Sequence, residues 1–238
     1  MPNNRQRSII FIAEGLELSG VLHLPAGQPT AVIVGCHGLM ADKNSPKQIE
    51  LARGCTDIGM AYFRFDHRGC GQSDGVFNRD TTLENRISDL TAAVHTVQET
   101  FGKTMPVGLF GSSLGGTVCL ATAFKLAPFA IVTLAAPVKS RSIRMPESSP
   151  ESLKQEIDST GLTFDIAAEM AAIHHILVVH GSDDETVPVE NAGTIFELAG
   201  KPKKRLLLDG GDHRISNTAL QKQFIQATVQ WFKDCYGR

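Results

Sequence analysis

Long apolar runs, aromatic side chains and an excess of either charge are all scarce in this 238-residue chain, and each scarcity removes a class of function. The formal net charge is -2, with 20% charged residues spread along the sequence and no basic stripe of the kind that tracks nucleic acid or an anionic membrane. A small-molecule substrate is expected, with no nucleic-acid and no membrane partner, in a chain that works as a monomer or homodimer. No run approaches a membrane span. Arg5 and Arg7 precede Ile9-Ile10-Phe11-Ile12-Ala13, but that run is too short for a signal-peptide core and Glu14 closes it, so it reads as a first strand. The five cysteines (Cys36, Cys55, Cys70, Cys119, Cys235) are odd in number and lack a paired spacing. They read as small buried hydrophobes or passive thiols in a cytoplasmic protein. Metal and cofactor signals are missing as well. His174 and His175 would face opposite ways in an extended segment, and neither they nor His180 have a Cys or carboxylate at zinc-ligand spacing. Gly115-Gly116 and Gly210-Gly211 complete no phosphate-binding fingerprint.

Against these absences stand strong strand and helix patterns. Residues 8–13 and 16–24 read as a hairpin turning at Glu14-Gly15, and the turn at 25–29 is rich in Pro and Gly. Continuous apolar runs at 31–36, 61–65, 106–110, 129–135 and 176–179 have the character of strands buried on both faces, and 204–208 reads as the last strand. Helices are expected at 82–101, 116–125, 188–198 and 218–232. The first carries Leu83, Ile87, Leu90, Val94, Val97 and Phe101 as one stripe, with Thr81 and Glu84 at capping-box spacing. This alternation predicts an α/β fold with a doubly wound, mainly parallel sheet. One domain over 1–238 is expected, interrupted by a helical cap at about 137–174. Pro146 and Pro150 open that cap, and Leu153, Ile157, Leu162, Phe164, Ile166, Met170 and Ile173 either fill its core or line a pocket.

The sharpest motif is Gly111-Ser112-Ser113-Leu114-Gly115, a G-x-S-x-G pattern between an apolar strand run and a small-residue helix. Glycines two positions either side of Ser113 permit the abrupt strand-to-helix turn of a nucleophile elbow. A serine hydroxyl needs a base, and the base an orienting acid. Two strand ends downstream supply them: Asp183 or Asp184 before Val187-Pro188, and His213 after Gly210-Gly211-Asp212. An oxyanion needs two N–H donors. Leu114, opening the helix after the elbow, supplies one; Leu39, in the His37-Gly38-Leu39 loop after the 31–36 strand, is the candidate for the other.

Together these motifs resemble the α/β-hydrolases of small-cap esterase type, similar to bacterial cinnamoyl or feruloyl esterases and the serine aminopeptidase and monoacylglycerol-lipase-like group. Asp66-His67-Arg68-Gly69-Cys70-Gly71-Gln72-Ser73 resembles that family's D-x-R-G-x-G-x-S segment, where the Asp and Arg are structural. Asp184-Glu185-Thr186-Val187-Pro188 resembles its D-x-x-V-P, which selects Asp184 over Asp183; Asp212 is then a loop-stabilising neighbour of His213. The resemblance implies a cofactor-independent serine hydrolase acting through Ser113, His213 and Asp184, with the N–H groups of Leu39 and Leu114 on the oxyanion. Leu39 replaces an aromatic common in relatives, and Phe164 is the lone cap aromatic, so esters of short or medium acyl chains are expected, with aryl esters as a variant. A thioesterase or amidase would use the same residues; no clustered Lys/Arg patch near the cap suggests a coenzyme A site, although Lys139, Arg141 and Arg144 keep that alternative open. A non-catalytic, ligand- or partner-binding relative is the non-enzyme alternative.

Overall fold

The computed structural model describes residues 5–145 and 151–237; Pro146 and Pro150, expected at the start of the cap, lie outside them. The chain runs β1 (Gln6–Ala13), β2 (Leu16–His23), β3 (Val32–Cys36), α1 (Pro46–Asp57), β4 (Ala61–Phe65), α2 (Phe77–Asp80), α3 (Leu83–Phe101), β5 (Val107–Ser112) and α4 (Leu114–Leu126). It continues through β6 (Ile131–Leu134), α5 (Glu151–Ser159), β7 (Ile176–Gly181), α6 (Glu190–Leu198), β8 (Lys203–Leu208) and α7 (Thr218–Cys235). The two residues of the opening turn, Glu14 and Gly15, have φ of 52° and 85°. That geometry matches the right-handed twist of a two-residue hairpin and fixes the β1–β2 register.

The eight strands form one sheet in the order β1-β2-β4-β3-β5-β6-β7-β8. β1–β2 and β2–β4 are antiparallel, and every pairing from β4 onward is parallel. Strand alternation divides the core into two layers. Val32, Val34 and Cys36 of β3 pack with α3 and α4, while Ile33 joins Leu51 and Cys55 of α1 and Phe224 and Phe232 of α7 on the opposite face. The chain leaves β3 in one direction to β4 and returns past it to β5, so the topological switch lies between β3 and β5. Loops at the carboxyl ends of those two strands therefore flank the crevice where α/β sheets bind ligands. No helix among the described residues is long and apolar enough to cross a membrane.

Three local readings are corrected. Helix α3 is capped by Thr82, whose Oγ1 accepts from Asn85 N at 3.1 Å, so the cap sits one residue beyond the expected Thr81. His174 and His175 do not face opposite ways: His175 is left-handed (φ 54°), which brings the two Nδ1 atoms to 2.7 Å. Helix α1 has no counterpart among the expected elements, because its inward stripe begins on a polar residue, Gln48, followed by Leu51, Ala52 and Cys55. Between β6 and β7, Phe164, Ile166, Met170 and Ile173 are buried in the layer shared with α3 and α4, and Ile157 and Leu162 pack against it.

Candidate active site

Ser113 stands between the end of β5 and the start of α4, with φ 53° and ψ -127°. Such a conformation strains any residue with a side chain and persists only where the surroundings enforce it. Here the Ser113 N–H donates to Leu134 O of β6 at 2.7 Å, and its carbonyl accepts from Gly116 N at 2.8 Å. The elbow glycines are sterically required. A Cβ on Gly111 would lie 2.3 Å from Gly115 O, and one on Gly115 would lie 2.5 Å from Cys36 O. Strand, helix and the stem of the loop after β3 thus meet at distances that only hydrogen atoms can fill, and the serine is left half-buried at their junction.

The loop after β3 lies directly over this junction, since a Cβ on Gly38 would be 3.3 Å from Ser113 Cβ and 3.9 Å from its Oγ. His37 sets the loop's orientation. Its Nε2 accepts from His67 N at 3.0 Å, so Nδ1 carries the proton and donates to Gly38 O at 2.7 Å. Burial, with His67 and Arg86 nearby, holds the His37 ring well below the ordinary histidine range and keeps it in this neutral tautomer. With Gly38 C=O turned toward His37, the N–H of Leu39 in the same trans peptide is directed the opposite way. The N–H of Leu114 belongs to the first turn of α4, where helices leave donors without intrahelical acceptors. The far end of the loop is held by buried Lys43, whose N–H and Nζ both donate to Asp66, and whose carbonyl accepts from Arg64. Arg68 pairs with buried Asp89, as expected of a structural arginine.

Asp184 and His213 come from the loops after β7 and β8. Asp183 N donates to Gly211 O at 3.0 Å and joins the two loops. His213 Nδ1 lies 2.8 Å from Asp184 Oδ2. The Asp184 side chain is fully buried, whereas His213 keeps 22% of its side chain exposed. Asp184 Oδ1 accepts from Thr186 N and Val187 N at 2.9 and 2.8 Å. Burial pushes the Asp184 carboxyl up, but donors from His180, His213 and Val187 outweigh it and hold the group well below the ordinary carboxylate range. Asp183, by contrast, is exposed and bonded to Ser182 Oγ, and Asp212 binds the N–H and hydroxyl of Ser216, the loop-stabilising place expected of it. No direct hydrogen bond joins Ser113 Oγ to His213 among the described residues; the side-chain partner of the His213 ring is Asp184.

Several contributors had no sequence signal. Lys47 of α1 donates to Arg214 O at 3.0 Å and so braces the histidine loop; burial lowers its pKa to about 8 against the pull of Asp212. Arg86, fully buried on α3, points its guanidinium at Gly38 O and Leu39 O, each 3.5 Å away. Both side chains lie in polar, helical stretches where a surface position is the ordinary reading.

The chain is similar to several known proteins. The mitochondrial palmitoyl-protein thioesterase ABHD10 of Rattus norvegicus is 24% identical over 244 residues, covering 90% of this chain and 80% of its own. An esterase domain from Rhodothermus marinus superposes with a TM-score of 0.74 at 24% identity, over 96% of this chain and 98% of that one. Est1E from Butyrivibrio proteoclasticus, solved with ferulic acid bound, gives 0.80 at 18% identity, over 97% of this chain and 100% of its own. These structural likenesses establish the α/β-hydrolase fold. The family model described as serine aminopeptidase, S33, matches residues 27–161, more than half of the sequence and the part that carries Ser113 and the loop after β3; the chain belongs to that hydrolase family.

Proposed function

We propose that this protein is a cofactor-independent serine esterase that cleaves small carboxylic esters of short or medium acyl chain through an acyl-enzyme. Ser113 Oγ attacks the ester carbonyl while His213 takes its proton; the alcohol leaves with that proton, and water, deprotonated by the same histidine, releases the acid and restores the serine. Asp184 holds the imidazole with Nδ1 protonated. The N–H groups of Leu39 and Leu114 receive the oxyanion. The observation that carries this reading is the 2.8 Å contact of a buried Asp184, held also by two backbone N–H groups, with His213 at the same end of the sheet as a strained serine. The test is a panel of nitrophenyl esters of increasing acyl length, together with covalent labelling by a fluorophosphonate. Ser113→Ala is expected to lose roughly three or more orders of magnitude in rate, and all labelling, with the fold intact. Activity within about tenfold of the parent would overturn it.

A fatty-acyl thioesterase is the second reading, favoured by the likeness to a palmitoyl-protein thioesterase across 90% of this chain. Of the three cations that could meet a coenzyme A group, Lys139 is already paired with Asp165 at 2.8 Å. Matched oxoesters and thioesters of one acyl group separate the two readings by their ratio of kcat/KM.

A further inference from the structure

The pattern His180-x-x-x-Asp184-x-x-Val187 closes on itself. His180 Nε2 lies 2.8 Å from the carbonyl oxygen of Val187 and 3.2 Å from Asp184 Oδ2. A carbonyl oxygen only accepts, so this nitrogen carries the proton and donates it to Val187 O, while Asp184 Oδ2 lies beside the same N–H at 3.2 Å. The same Val187 returns its own N–H to Asp184 Oδ1. Oδ1 therefore accepts from Thr186 N and Val187 N, and Oδ2 faces two imidazole N–H groups, that of His213 at 2.8 Å and that of His180 at 3.2 Å.

His180 sits near the end of β7 with no exposed surface, and its Nδ1 has no partner among the described residues. A buried imidazole with an unpaired nitrogen is costly where an aliphatic side chain would pack freely, so space-filling alone does not account for it. Its polar contacts all lead to Asp184 or to the turn that holds it. We infer that His180 is a positioning residue that fixes Asp184 Oδ2 on the side of His213, a second histidine on one carboxylate. Without it, the N–H group that Oδ2 faces is that of the ring the carboxylate has to orient. The inference rests on the proposed roles of Ser113, His213 and Asp184.

The experiment compares His180→Ala and His180→Gln in the full chain, with Ser113→Ala and Asp184→Asn in parallel. It reads kcat and KM on a nitrophenyl ester and the downfield proton resonance of the His213 Nδ1–H. A glutamine amide can present an N–H near the place of the imidazole Nε2–H. His180→Ala is expected to lower kcat ~10–100-fold, the range set by a small misplacement of a catalytic group, with KM changed less than about threefold and the resonance shifted or broadened. His180→Gln should bring kcat within about fivefold of the parent and restore the resonance. The proposal is overturned if folded His180→Ala keeps kcat within about twofold and the resonance unmoved, or if folded His180→Gln is as impaired as alanine with the resonance unmoved. Should the alanine variant fail to fold, the glutamine variant decides by the same two readouts. Retained activity in Ser113→Ala or Asp184→Asn would instead sink the underlying triad reading, a failure visible in variants that leave His180 intact.

Discussion

Asp184 and Asp183 are sequence neighbours in opposite environments: one is buried 2.8 Å from His213 Nδ1, the other is exposed and accepts from Ser182 Oγ. The turn after β7 rotates successive side chains apart, so a single residue step exchanges the histidine loop for solvent. Asp184→Asn is expected to lower kcat about 10⁴-fold, because an amide beside Nδ1 favours the wrong imidazole tautomer. Asp183→Asn should stay within about threefold of the parent. Initial rates on one nitrophenyl ester decide it, and the reverse ranking would move the acid to Asp183.

Gly38 and Gly115 approach the same serine from two sides with different tolerance. A Cβ on Gly115 would lie 2.5 and 2.6 Å from the carbonyl oxygens of Cys36 and His37, backbone atoms that cannot give way without prying α4 from β3. Gly115→Ala should therefore destabilise by about 3 kcal/mol or more. On Gly38 the added methyl meets Ser112 O and Ser113 Cβ at 3.3 Å, a crowding that a few tenths of an ångström relieves. Gly38→Ala is expected to cost under about 1 kcal/mol in urea unfolding while lowering kcat ~10–100-fold, since the displaced group is the proposed oxyanion loop. Equal losses of stability in the two variants would contradict this division.

What the sequence made legible follows from where periodicity and rare residue types coincide. β3 through β7 announce themselves because strands buried on both faces are largely apolar runs, even with Arg64 in β4 and His180 in β7, and Ser113 and Asp184 stand just past two of them, with His213 past the more exposed β8. The interior polar groups left no such mark. Lys43, Arg86, Gln48 and His180 are all buried, yet each is bound by partners from another element or a returning turn, and pairing across folded space has no signature in local composition. The same reason hid α1, whose buried stripe starts on Gln48 because Tyr62 OH donates to its Oε1 at 2.9 Å. His174 and His175 were misread for a backbone reason: one left-handed residue turns opposite faces into the same one.

Asp89 is the buried keystone of the segment behind the site. Its Oδ1 accepts from Arg68 Nε at 2.8 Å, and its Oδ2 from Arg68 N at 3.0 Å and His67 Nδ1 at 3.2 Å. Removing the carboxylate strands a guanidinium whose side chain is only 6% exposed. Asp89→Ala is expected to destabilise the fold by about 3–5 kcal/mol, the cost of leaving a buried partner unpaired. A chemical-denaturation midpoint close to the parent's would show that Glu14, which also contacts Arg68, suffices.

His23 gives the fold a pH dependence of its own. Arg64 Nε donates to His23 Nε2 at 2.8 Å, so the ring has to be unprotonated at that nitrogen, and it is only 5% exposed. Burial first, then the charges of Arg64 and Arg53, lower its pKa from 6.5 to about 4. The folded state therefore binds fewer protons than the unfolded chain between those values, and stability falls as pH drops through that window. Below about 4 both states are protonated and this contribution levels off, while depressed carboxylates such as Asp184 begin to lose theirs. His23→Gln keeps an acceptor for Arg64 and removes the titration. Urea midpoints at intervals from pH 7.5 to 4.5 should fall for the parent and fall less for the variant; parallel curves would place the acid sensitivity elsewhere.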